Sequence, residues 1–121
     1  MTNVDTLAAA LAGDGFLLFD GAMGTQLQAR GLAAGELPEL LCLERPGVVT
    51  EVHAAYVAAG ADVVTTNTFG ANRLKYPAGG EFSLEEVVRS AVNVAKAAQR
   101  ACKREDSSWV ALDIGPSGKL L

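Results

Sequence analysis

Histidine and cysteine are scarce in this sequence of 121 residues. His53 is the single histidine, and Cys42 and Cys102 are the two cysteines. Zinc sites in proteins usually need three or four histidine, cysteine or carboxylate ligands, and two distant cysteines do not form a disulfide framework. We therefore predict no metal ligands in this chain. The cysteines are interpreted as apolar core residues, and His53 as a surface or hydrogen-bonded structural residue.

Basic residues, aromatic residues and long apolar runs are also few. Lysine and arginine number 10 against 14 aspartate and glutamate, and aromatic residues make up 6%. Such a chain lacks the positive surface and the stacking platform that nucleic-acid binding requires. No apolar run approaches the ~20 residues of a membrane span, and the N-terminus carries Asp5 with no basic residue before it, unlike a signal peptide. We predict a cytoplasmic protein that binds neither nucleic acid nor membrane.

Half of the residues are hydrophobic, and they fall into alternating strand-like and helix-like segments. Strands are predicted at residues 16–19, 61–66 and 109–114, the first of them buried on both faces. Helices are predicted at residues 5–12, 26–30, 46–59 and 84–104. Strand ends near residues 19, 66 and 113 leave room for crossover helices between them. This order predicts an α/β fold with a parallel sheet built from βαβ units.

Two helix starts have clear signals. Proline is favoured at the first helical position, where Pro46 stands. Ser83 and Glu86 have the spacing of a capping box, in which each side chain satisfies a backbone N–H at the start of the helix.

Polar residues follow each predicted strand. They are Asp20-Gly21, then Thr66-Asn67-Thr68, then Asp113 with residues 115–118. Ligands of parallel α/β folds bind at the carboxyl ends of the strands. A carboxylate beside glycine amides suits an amino acid, because the carboxylate binds the ammonium and the amides bind the α-carboxylate. Purely structural alternatives stay open: Asp20 as a helix cap, the threonines as ordinary strand residues, and Asp113 as a structural residue.

Three segments in this order resemble the homocysteine S-methyltransferase family. They are residues 19–25 (FDGAMGT), residues 45–72 with GAD followed by TNTFGAN, and residues 113–119 (DIGPSGK). The resemblance extends over residues 14–121. The first two motifs are most similar to the cobalamin-dependent methionine synthase branch, which includes chains fused to a methylenetetrahydrofolate reductase domain.

The resemblance implies a TIM (β/α)8 barrel, of which residues 1–121 would form the first three βα units without a second domain. It implies methyl transfer to the zinc-bound thiolate of homocysteine, giving methionine, with cobalamin as the methyl carrier. Asp20 would bind the homocysteine ammonium, Gly21 its carboxylate, and Thr66 and Asn67 would complete this part of the pocket.

The family's zinc cysteines lie later in the barrel, so we expect no catalytic residue in this chain, which we interpret as a truncated fragment. The implied partners are homocysteine and a corrinoid protein or domain. The open sheet edges of a partial barrel also predict self-association.

A complete small doubly wound domain of receiver or flavodoxin type is the alternative. It would act as a binding or signalling module. Receivers carry an acidic pair after the first strand and a phosphoacceptor aspartate after the third, whereas here Asp20 stands alone and Asp113 lies 93 residues further on.

Overall fold

The computed structural model describes residues 3–13 and 15–119, which contain six helices and two strands. Five are α-helices and one is a short 3-10 helix. In chain order these elements are α1 (Asn3–Ala12), α2 (Gly24–Ala29), the 3-10 helix (Pro38–Leu40), α3 (Leu41–Glu44), α4 (Pro46–Ala58), β1 (Val63–Thr65), α5 (Leu84–Ala101) and β2 (Trp109–Ala111). None of the helices in these two ranges is long and apolar enough to cross a membrane.

The two strands form a parallel pair, as the sequence predicts. Val64 lies opposite Val110, and α5 connects one strand to the other. This is a βαβ unit, the repeating element of parallel sheets. Both strands are shorter than predicted, since each ladder ends within three residues.

The prediction of a first strand at residues 16–19 is wrong. Phe19 forms a single parallel bridge with Val63, and no strand is assigned in this segment. One physical reason is that the Asp62 carboxylate accepts the Leu18 N–H at 3.0 Å, so a side chain replaces a ladder bond. The expected burial on both faces is wrong as well, because Phe16 is 87% and Phe19 54% exposed. The described residues thus hold two strands and one bridged segment, not three strands.

The helix signals are largely confirmed. α4 begins at Pro46, and Gly60 follows its end with φ +111°, a left-handed conformation that favours glycine. The Ser83 hydroxyl accepts the Glu86 N–H at 3.0 Å at the start of α5. α5 ends at Ala101, three residues before the predicted end, and Lys103 after it has φ 57°.

The core lies between the helices, on one side of the short sheet. Leu27, Leu41, Val49, Val52 and Ala91 are buried in one cluster, which joins α2, α3, α4 and α5. Close packing of this kind is the main source of stability in a domain. A second cluster attaches the sheet to it, through Val57 of α4, Val64 of β1 and Ala95 of α5.

His53 and the cysteines belong to this buried region. The interpretation of His53 as exposed or hydrogen-bonded is wrong: it is 0% exposed, and neither ring nitrogen has a hydrogen-bond partner among the described residues. Burial lowers the pKa of His53 to about 4, so the ring is neutral at pH 7. Cys42 is buried and Cys102 partly buried, and both are free thiols.

Candidate functional site

A cavity of about 420 Å³ opens at the carboxyl end of β1. Its walls come from four parts of the chain that are far apart in sequence. They are residues 21–24 before α2, the 3-10 helix with Pro38 and Glu39, residues 65–67 with Phe69, Gly70 and Lys75, and Asp113 after β2. The cavity therefore lies where ligands bind in parallel α/β folds.

The predicted site residues divide into two groups. Gly21, Thr66 and Asn67 line the cavity, whereas Asp20 lies beside it and is not among the lining residues. The Asp20 carboxylate accepts the Thr65 N–H at 3.0 Å and the Thr65 hydroxyl at 3.1 Å. Asp113, interpreted from sequence as structural, does line the cavity.

Asp20 has an unusual electrostatic setting. Burial raises its pKa above the ordinary value, and the hydrogen bonds from Thr65 only partly oppose this effect. The negative charge of Asp113 also raises the pKa of Asp20. Two carboxylates that repel each other at the edge of a cavity favour the approach of a cation such as an ammonium group.

Thr66 and Thr68 connect the ends of the two strands. The Asp113 N–H donates to the Thr66 hydroxyl at 3.0 Å, and the Thr68 hydroxyl donates to the Asp113 carbonyl at 2.6 Å. The two hydroxyl oxygens are 2.7 Å apart. Because each hydroxyl has one hydrogen and that of Thr68 goes to Asp113, the hydrogen of Thr66 goes to Thr68. Thr66 can therefore offer a ligand only a lone pair.

Asn67 connects the end of β1 to the 3-10 helix. Its side-chain amide donates to the Pro38 carbonyl at 2.6 Å and lies 3.6 Å from the Cys42 sulfur. Burial raises the pKa of the Cys42 thiol to about 11, so the sulfur is a neutral thiol. Both amide hydrogens of Asn67 thus have partners inside the protein.

Glu39 is a site residue that the sequence did not indicate. It is 2% exposed, and its carboxylate accepts the Tyr76 hydroxyl at 2.8 Å and lies 3.5 Å from the Lys75 ammonium. Burial and the neighbouring Glu39 raise the pKa of Tyr76, which keeps its hydroxyl protonated as a donor. In the sequence, Glu39 is only a charged residue before the apolar residues 40–43, and nothing local identifies residues 75 and 76 as its partners.

The residues present do not fit a zinc ion. In the part of the chain that is described, no three histidine, cysteine, aspartate or glutamate side chains come together as a metal site requires. Cys42 is next to Asn67, and the Cys102 sulfur donates to the Ala54 carbonyl at 3.5 Å.

Comparison with known proteins identifies the class. The family profile described as homocysteine S-methyltransferase matches residues 17–121. The chain therefore belongs to the homocysteine S-methyltransferase family, a family of methyltransferases. It is 36% identical over 112 residues to a methionine synthase of Mycobacterium tuberculosis, covering 84% of this chain and 9% of that protein. It is 33% identical over 129 aligned positions to an Escherichia coli homocysteine S-methyltransferase, covering 100% of this chain and 42% of that protein.

A solved structure supports the same assignment. The metallated form of the Escherichia coli homocysteine methyltransferase MmuM superposes with a TM-score of 0.76 at 28% identity, over 97% of this chain and 42% of that one. The α/β fold class and the family resemblance are thereby confirmed, and the receiver or flavodoxin alternative finds no support. The chain spans less than half the length of these relatives.

Proposed function

We propose that this chain forms part of the homocysteine pocket of a methyltransferase that converts homocysteine to methionine. One observation carries the proposal: the cavity at the carboxyl end of β1 brings together Gly21, Thr66 and Asn67, three of the four residues that the family motifs indicate. Its volume of about 420 Å³ is ample for a small amino acid.

In this proposal the two charged groups of the substrate bind different parts of the chain. The ammonium binds near Asp20, with Asp113 adding negative charge at the same edge. The α-carboxylate binds the backbone at Gly21. A Cβ at this position would lie 3.0 Å from the Tyr56 hydroxyl, so a side chain there would crowd Tyr56. Asn67 and Thr66 hold the end of β1 in place against the 3-10 helix and Asp113.

We further propose that residues 1–121 are the first βα units of a TIM barrel. The parallel pairing of β1 with β2, the bridge at Phe19 and the polar residues at one edge support this arrangement. For the whole protein, zinc as the thiol-activating ion is supported by the metallated form of MmuM, and cobalamin with a corrinoid partner by the methionine synthase relatives. In this proposal the described residues of this chain contribute to binding homocysteine. A cytoplasmic location and the absence of nucleic-acid and membrane partners stay predictions.

The test is an assay of the protein in the form that its gene encodes. Purified protein is incubated with L-homocysteine and either S-methylmethionine or methylcobalamin, and methionine formation is followed by mass spectrometry. We expect methionine with at least one donor, and no S-methylcysteine when L-cysteine replaces homocysteine. No methionine with either donor, together with no binding of homocysteine by calorimetry, would contradict the proposal.

A further inference from the structure

The buried carboxylate of Glu39 lies between two segments that form one wall of the cavity. One segment is the 3-10 helix, and the other is the loop 67–76 that follows β1. We propose that Glu39 is a positioning residue for the substrate, which acts by holding this loop against the 3-10 helix. This inference rests on the proposed function, and it concerns a residue outside the motifs that indicated the site.

Three side-chain contacts join these segments. The Tyr76 hydroxyl donates to Glu39 at 2.8 Å, and the Lys75 ammonium lies 3.5 Å from the same oxygen. At the other end of the loop, Asn67 donates to the Pro38 carbonyl at 2.6 Å. The loop is therefore fixed to the 3-10 helix near both of its ends, and Glu39 supplies the contacts at one of them.

The loop backbone lies directly against Glu39. A Cβ at Gly70 would be 3.1 Å from both carboxylate oxygens and 2.9 Å from the Lys75 ammonium, so the loop approaches closely because residue 70 has no side chain. The neighbouring Phe69 carbonyl abuts the chain after β2 at Gly115, where any side chain would overlap it. A shift of the Glu39 carboxylate would thus move the backbone at one wall of the cavity.

Charge makes this arrangement sensitive to change. A buried carboxylate is stable only with hydrogen bonds or a counter-charge, and here it has both. Replacing Glu39 by glutamine preserves its shape and an acceptor for Tyr76, but it removes the attraction for Lys75. The loop would then lose one of its attachments while the core around Leu41 and Val49 stays intact.

The experiment compares Glu39→Gln with Glu36→Gln in the full protein. Glu36 is the control because it lies just before the 3-10 helix and its carboxylate also forms an ion pair, at 2.9 Å from Arg45, but it does not line the cavity. For Glu39→Gln we expect the KM for homocysteine to rise about tenfold, with kcat and the KM for the methyl donor changed less than about twofold. Glu36→Gln should leave all three within about twofold.

A second variant and a second readout keep the inference falsifiable. If Glu39→Gln does not fold, Tyr76→Phe removes a single hydroxyl and should raise the homocysteine KM about threefold to fivefold. An unchanged homocysteine KM with a lowered melting temperature would overturn the positioning role. If the wild-type protein does not use homocysteine, the proposed function fails separately. Amide exchange at Gly70 then decides: faster exchange in Glu39→Gln than in Glu36→Gln supports the role of Glu39, and equal rates overturn it.

Discussion

The helical side of the molecule and the carboxyl edge of its sheet are held together in different ways. On the helical side, apolar residues such as Leu41 and Val52 are buried against one another across several helices. At the carboxyl edge, the large apolar side chains of Leu112 and Ile114 are more than 50% exposed, and the contacts there are hydrogen bonds between polar groups. Stability therefore comes mainly from one region and the arrangement of the candidate site from the other.

Truncation of a core leucine is the strongest way to test this contrast. Leu41→Ala should lower the free energy of unfolding by about 2–5 kcal/mol, because it creates a cavity among buried helices. Leu112→Ala, at a side chain 53% exposed, should cost less than about 1 kcal/mol. Urea denaturation followed by circular dichroism measures both. Equal losses in the two variants would show that the contrast is wrong.

A fall in pH should lower the stability of the helical side, because of His53. Its folded-state pKa of about 4 lies below the ordinary value near 6.5, so the unfolded chain binds the proton more tightly. The contribution of neutral His53 to the free energy of unfolding is fully present above pH 6.5 and is lost as the pH falls toward 4. The total loss is on the order of 3 kcal/mol. His53→Gln should remove this part of the pH dependence. Denaturation curves for both proteins between pH 7 and pH 4 provide the measurement, and parallel curves would exclude His53 as the cause.

Asp20→Asn should affect binding at the sheet edge and leave the core unaffected. Asparagine can keep both contacts with Thr65, since the threonine hydroxyl can accept as well as donate. Losing the charge should weaken binding of the substrate ammonium by about 1.5–3 kcal/mol, which is a tenfold to hundredfold rise in the homocysteine KM. Steady-state kinetics and a thermal melt of the same variant test this. An unchanged KM would remove Asp20 from the candidate site.

Substitution of the exposed apolar residues should have the smallest effect, and that effect is on self-association. We predict weak self-association of the 121-residue chain through the open sheet edges, near which Phe16 (before the bridge at Phe19) and Ile114 (after β2) are exposed. The double variant Phe16→Ser and Ile114→Ser should shift sedimentation profiles toward monomer, whereas Leu74→Ser, in the loop after β1, should not. A wild-type chain that sediments as a monomer at every concentration would contradict the prediction.

Local signals in the sequence predicted where helices begin better than they predicted which residues are buried or paired. Pro46 and the Ser83–Glu86 pair marked true helix starts because capping depends on residues close in sequence. The apolar run at residues 16–19 was predicted to be a buried strand, but burial and pairing depend on neighbours that a local pattern does not reveal. The burial of His53 was missed for the same reason, since it follows from the packing of helices against one another.

In the candidate site, too, local motifs were informative, whereas contacts between distant residues were not predicted. Gly21, Thr66 and Asn67 line one cavity because residues that follow neighbouring parallel segments lie at the same edge of the sheet. Glu39 was missed because its partner Tyr76 lies 37 positions away, and only the folded chain brings them together. The roles of Asp20, Gly21, Thr66 and Asn67 toward homocysteine stay predictions.

The hydrogen bonds among Thr66, Thr68 and Asp113 also bear on how the strands align. A ladder of three residue pairs gives little preference for one register over another, and a slip by one residue would turn each side chain to the opposite face. The Thr66 and Thr68 hydroxyls are 2.7 Å apart just after β1, and together they bind both the N–H and the carbonyl of Asp113. A one-residue slip would present Asn67 to Asp113 instead. These two threonines therefore select the register of the strands, which their short backbone ladder alone specifies only weakly.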